Sequence, residues 1–132
     1  MSSCVWVVDD DDGYRDLLGV VLETHCGVRS VRGFGRGEDA VRAFRALPPD
    51  SRPDALLVDF HMPGMSGLGV LQALRSTATD LPVIVLSNAA TPQERAACTS
   101  EGALSFIEKP TRVEELIRAL RQWRASTESP HP

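Results

Sequence analysis

Four short runs of nearly unbroken apolar character, CVWVV (4–8), ALLV (55–58), PVIVL (82–86) and ALSFI (103–107), set the tightest limit on how this chain can fold. A strand with one wet face alternates apolar and polar residues. A run without that alternation is covered on both faces, as in a parallel sheet flanked by helices. A fifth, more polar run, VRSVRGF (28–34), reads as one further strand. Between the runs, apolar residues recur at spacings of three and four: Tyr14, Leu17, Leu18, Val21 and Leu22; Val41, Phe44 and Leu47; Leu68, Leu71 and Leu74; Val113, Leu116, Ile117 and Leu120. Thr91-Pro92-Gln93-Glu94 and Thr111-Arg112-Val113-Glu114 both fit a capping box that opens a helix, and Gly102 fits a helix stop. Trp6 and Trp123 read as core residues of the first strand and last helix. The pattern predicts an α/β fold of (βα)5 type, a doubly wound parallel five-stranded sheet in the flavodoxin-like order 2-1-3-4-5.

The 132 residues, 42% hydrophobic and 24% charged, suit one domain with a single core. That domain is expected over residues 1–125, with the polar, proline-containing stretch 126–132 as a flexible tail. No apolar run approaches the roughly 20 residues of a membrane span, and MSSCVWVVDDDD lacks the basic start of a signal peptide, so a cytoplasmic location is expected. Cys4, Cys26 and Cys98 form no C-x-x-C pair and imply neither a disulfide framework nor a zinc site. A net charge of −4 argues against direct nucleic-acid binding. His25 and His131 have no partner at metal-ligand spacing.

In a doubly wound sheet the ligand site lies beyond the carboxyl ends of the strands. Here the first strand runs into Asp9 and Asp10, the third into Asp59, the fourth into Ser87, and the fifth is followed by Lys109-Pro110. Each alone has a bland reading as a cap or turn former. Their convergence on one edge does not. Lys109 is also the only lysine among fourteen basic residues, in a chain that otherwise uses arginine. A compact ammonium on a flexible stem does what a planar guanidinium cannot.

VVDDDDGYR, LLVDFHMPGMSG, PVIVLSNA and FIEKP resemble, in order and spacing, the four signatures of response-regulator receiver domains, the CheY-like family of two-component signalling. The resemblance covers about residues 4 to 124. It implies that Asp59 accepts a phosphoryl group from a phosphohistidine of a sensor histidine kinase or histidine phosphotransfer domain. It further implies Mg²⁺ held by Asp10, Asp59 and the backbone carbonyl of His61, with Asp9 acting through water. Three gathered carboxylates repel unless a cation is present, and a hard divalent ion suits them. Ser87 takes the switch hydroxyl position, in place of the commoner threonine. Lys109 takes the invariant lysine position, and Phe106 that of the switch aromatic. Such a domain is a phosphoacceptor that slowly dephosphorylates itself, a timer more than an enzyme. The resemblance implies a downstream protein or second protomer at the face of the fourth helix, fifth strand and fifth helix. There Lys109, Arg112, Arg118, Arg121 and Arg124 outnumber Glu114 and Glu115. A cis Lys109–Pro110 peptide is expected, aiming the ammonium over the strand ends.

Asp11 and Asp12 read as a solvated helix start favoured by the dipole, and His61 as either a surface residue or a modulator of phosphate lifetime. Two rivals stand beside this reading. VVDDDDGY contains the D-x-D-G of a HAD-type phosphohydrolase, but that family needs a later acidic metal ligand, and no aspartate follows Asp80. A pseudo-receiver shares the fold without phosphorylation, yet here every chemical position is filled. No effector motif follows residue 125, which fits a stand-alone regulator, a receiver from a longer regulator or the terminal receiver of a hybrid kinase.

Overall fold

The computed structural model describes residues 3–78 and 80–128. Five strands, β1 (Cys4–Val8), β2 (Ser30–Phe34), β3 (Ala55–Asp59), β4 (Val83–Ser87) and β5 (Ser105–Glu108), alternate with five helices. These are α1 (Asp12–His25), α2 (Gly37–Ala46), α3 (Gly67–Arg75), α4 (Pro92–Ser100) and α5 (Val113–Glu128). The strands form one parallel sheet in the order β2-β1-β3-β4-β5, as the apolar runs predicted.

Successive strand residues point to opposite faces, and both faces are covered. Trp6, Val8, Leu56, Val58, Val83 and Val85 pack with Phe44 of α2, Leu71 and Leu74 of α3 and Cys98 of α4. Val5, Val7, Leu57, Ile84 and Leu86 pack with Leu18, Val21 and Leu22 of α1 and with Leu116, Leu120 and Trp123 of α5. β3 and β4 are buried at every residue, which is why their sequences do not alternate. β2, at the sheet edge, is half exposed and correspondingly polar. It starts at Ser30, two residues later than the run at 28–34 predicted, because Gly27 turns the chain after α1 with a φ of 67°.

The capping box at α4 forms: Glu94 N donates to Thr91 Oγ1 at 3.1 Å, and Thr91 N donates to Glu94 Oε1 at 2.8 Å. Gly102 ends the segment with a φ of 94°. The second expected box does not form. α5 opens at Val113, and Leu116 N donates to Arg112 O, so the cap falls on Arg112 rather than Thr111. The turn that carries Pro110 away from the sheet takes up Thr111 before the helix can start. α5 also continues to Glu128, so residues 126–128 of the expected tail 126–132 are helical. Residues 129–132, including His131, lie outside the described residues.

The β3–α3 connection fixes where β3 delivers its last residue. Gly67 N donates to Phe60 O at 2.9 Å, and a Cβ at Gly67 would stand 2.6 Å from Asp59 O and 2.8 Å from Phe60 Cα. Both obstacles are backbone, so any side chain here must push the end of β3. Gly67→Ala is expected to destabilise the domain by about 2 to 3 kcal/mol in urea unfolding. Gly19→Ala, whose Cβ would meet only Val31 Cγ1 at 3.8 Å, should be neutral or stabilising by up to about 1 kcal/mol. Equal effects at the two positions would contradict this account of the turn.

Candidate functional site

Four strands end in polar chemistry along one edge of the sheet, and backbone hydrogen bonds hold those ends in register. Asp9 N donates to Phe34 O at 3.0 Å, Phe60 N to Leu86 O at 2.8 Å, and Lys109 N to Ser87 O at 2.8 Å. Asp59 and Ser87 are themselves the last residues of β3 and β4. A side chain at the end of a fully buried strand has little positional freedom, which suits a group that must be held in place.

Lys109 Nζ donates to Asp9 Oδ2 at 2.9 Å and lies 3.3 Å from Asp59 Oδ1. The three side chains are nearly withdrawn from solvent, at 8% exposure for Lys109, 2% for Asp9 and 8% for Asp59. Asp10 is exposed, yet Asp9, Asp10 and Asp59 each offer a carboxylate oxygen, and these lie within 4.8 Å of one another. Burial raises the Asp59 pKa, Lys109 pulls it back down, and the neighbouring charges of Asp9 and Asp10 push it up again.

The Lys109–Pro110 peptide is trans, as is every peptide bond among the described residues, so the cis bond expected there is corrected. No sharp turn is needed to aim the ammonium. β5 runs parallel to β4 and already points its carboxyl end at the site, and the four-carbon stem of Lys109 covers the remaining distance.

Ser87 is fully buried; its Oγ accepts from Ala89 N at 3.3 Å and lies 3.4 Å from His61 Nδ1. His61 Nε2 is 3.6 Å from Glu94 Oε2, so the imidazole stands between the Ser87 hydroxyl and the capping carboxylate of α4. The Thr91 backbone N–H holds the Glu94 carboxyl below its ordinary pKa, with His61 assisting. Phe106 is half-buried on β5, and the Arg95 guanidinium sits 4.8 Å from its ring centroid. The acidic run divides as its two readings required. Asp9 and Asp10 stand at the site, while Asp11 caps α1 by accepting from Tyr14 N at 3.1 Å.

Three residues of this neighbourhood escaped sequence reasoning. Arg15 Nη1 donates to Asp9 O at 2.7 Å and so secures the turn after β1. Arg95 reaches from α4 to the ring of Phe106 and, at 3.5 Å, to Glu108. Tyr14 reads as part of the α1 apolar stripe, but its ring lies beneath Lys109 Nζ, 4.4 Å from the centroid. The one available signal was an aromatic in an otherwise aliphatic stripe, directly after an acidic run.

The sheet order, the acidic cluster and the single ammonium together define a receiver domain. The chain belongs to the response regulator receiver domain family, which it matches over residues 5–121. It is similar to the response regulator MprA of Mycobacterium bovis (strain BCG / Pasteur 1173P2), at 38% identity over 123 residues, covering 92% of this chain and 50% of that protein. MprA of Mycobacterium tuberculosis (strain H37Rv) is 37% identical with the same coverage. The chain therefore spans about half the length of the curated relatives it matches. Among solved structures, the phosphorylated cyanobacterial phytochrome response regulator RcpA shares the fold with a TM-score of 0.86 at 22% identity, covering 98% of each chain. Vibrio cholerae CheY4 does so at 0.77 and 23%, covering 92% of this chain and 98% of the other. No helix among the described residues is long and apolar enough to cross a membrane.

The raised Asp59 pKa has a definite sign in stability. The folded state holds the proton more tightly than the unfolded chain, so stability is lost as pH rises from the ordinary carboxylate range through the raised value. Without divalent cations, Asp59→Asn should melt a few degrees above wild type at pH 7, with the gap narrowing as pH falls to about 4. A gap that is constant with pH, or reversed at pH 7, would contradict the charge assignment.

Proposed function

We propose that this domain is the phosphoacceptor module of a two-component or phosphorelay system. In this reading Asp59 takes a phosphoryl group from a phosphohistidine of a sensor histidine kinase or histidine phosphotransfer domain. The observation that carries it is Lys109 Nζ bridging Asp9 and Asp59 among three carboxylates whose oxygens lie within 4.8 Å of one another.

An all-oxygen, acidic donor set at this spacing fits Mg²⁺ and not a soft metal. Asp10, Asp59 and the His61 carbonyl would hold the ion, with Asp9 acting through water. When bound, it supplies positive charge that keeps the carboxylates ionised and neutralises phosphoryl oxygens. The rest is done by the chain. An Asp59 carboxylate oxygen attacks the phosphorus in line, forming a P–O bond as the P–N bond breaks, and the bonding pair leaves with the imidazole nitrogen of the donor. Lys109 gives up part of its contact with the carboxylates and turns its ammonium toward the transferring oxygens. Hydrolysis later restores Asp59, so the protein is consumed and regenerated rather than turning over as an enzyme.

The new phosphoryl oxygens are acceptors beside Ser87, whose hydroxyl exchanges its present neighbours for them. That movement opens space on the β4–α4 side, and the Phe106 ring shifts from half-buried to buried. Burying the remaining half of one aromatic ring is worth about 1 kcal/mol, enough to shift a two-state balance roughly fivefold. The face of α4, β5 and α5 is then the surface on which a downstream protein or second protomer distinguishes the two states.

Incubation with acetyl phosphate and Mg²⁺ tests the reading. Wild type should gain one phosphoryl group by intact mass, and Asp59→Asn should fall to background. Labelling of Asp59→Asn at the wild-type rate would move the nucleophile elsewhere. A wild type that stays unmodified would make the domain a pseudo-receiver.

A further inference from the structure

Tyr14 does not sit as an ordinary core residue would. Its hydroxyl is buried with no hydrogen-bond partner, a cost that leucine in the same stripe would avoid. Its ring instead lies 4.4 Å from the ammonium of Lys109, within cation–π range. We propose that Tyr14 is a positioning residue for Lys109, its π face fixing the ammonium where it can face Asp59.

The chemistry explains why a ring should be used. Lysine carries four rotatable carbons, and an ammonium held only by Asp9 and Asp59 would be tied to two anions that a phosphoryl group must displace. An aromatic face attracts the cation without presenting it a further carboxylate oxygen or adding negative charge to a site that already holds three carboxylates. It also covers the ammonium without competing for its N–H donors as a carboxylate does. Burial first, then the charges of Asp9 and Asp59, pushes the Tyr14 pKa up to about 12, so the ring stays neutral at physiological pH. Lys109 thus keeps one contact while it exchanges carboxylates for phosphoryl oxygens. The functional side of this inference rests on the reading of Asp59 as phosphoacceptor. The contact itself does not.

Lys109 is the only lysine, so its side-chain Cε–H and Nζ–H resonances are unambiguous in a labelled sample of the whole chain. In wild type and Tyr14→Phe these resonances should be shifted upfield by the ring. In Tyr14→Leu they should move toward the free-lysine position. In acetyl phosphate labelling with Mg²⁺, Tyr14→Leu should be slower by about three- to tenfold, with Tyr14→Phe restoring the rate to within about twofold. In a Lys109→Met background, Tyr14→Leu should have no further effect, whereas a purely structural role would persist there. Wild-type lysine resonances without a ring shift overturn the proposal whether or not any variant folds. So does equal slowing by Tyr14→Leu with and without Lys109. A shifted wild-type signal in a protein that accepts no phosphate would keep the contact and sink the phosphoacceptor reading instead.

Discussion

A single ammonium among three carboxylates is the constraint around which this domain is arranged. Like charges brought together at a nearly dry strand edge repel, and burial makes each ionised carboxylate more costly still. Lys109 offsets this for Asp9 and Asp59, at 2.9 and 3.3 Å, but it carries one positive charge where the cluster carries three negative ones. Burial first, then the charges of Asp9 and Asp10 that Lys109 only partly offsets, leaves the Asp59 pKa raised. A site left short of positive charge is also one that favours a divalent cation, and with that cation bound it could receive the negative charge of a phosphoryl group. The instability and the proposed chemistry thus have one source.

The fold makes such a cluster tolerable by dividing the domain into fixed and adjustable parts. Asp59 and Ser87 terminate strands buried at every residue, tied across the sheet by the bonds from Phe60 to Leu86 and from Lys109 to Ser87. The contacts beyond β4 are longer and more exposed. His61 stands 3.4 and 3.6 Å from Ser87 and Glu94, and Arg95 reaches Phe106 and Glu108 from an exposed helix face. Short bonds hold the ends of β3 and β4; longer ones hold the surface beyond β4. Local stability graded in this way is what a two-state element needs.

Much of this was legible in the sequence because it follows from strong local signals. Unbroken apolar runs required a doubly covered parallel sheet, and the ends of those runs held the residues that the structure brings together: Asp9, Asp10, Asp59, Ser87 and Lys109. Even so, β3, β4 and β5 each end one residue beyond their apolar runs, because the polar residue after the run still pairs in the sheet, while β4 starts one residue and β5 two residues later than those runs. The trans bond at Pro110 and the cap at Arg112 were misjudged where a turn is decided by the path between two packed elements rather than by its own residues. Tyr14 and Arg95 were missed for a related reason. Helical period tells which face a residue occupies, but not that the neighbour across that face is a lysine 95 positions away or a ring on the next strand.

In the proposed reading, Lys109 and a divalent cation compensate the same excess of negative charge. The most direct test is the rise in melting temperature that saturating Mg²⁺ gives to wild type and to Lys109→Met. With the ammonium gone, the ion should matter more, so the Mg²⁺-induced rise should be larger in Lys109→Met and the Mg²⁺ affinity several-fold tighter. An equal or smaller rise in the variant would mean that the two cations do not share one electrostatic role, and would contradict the account.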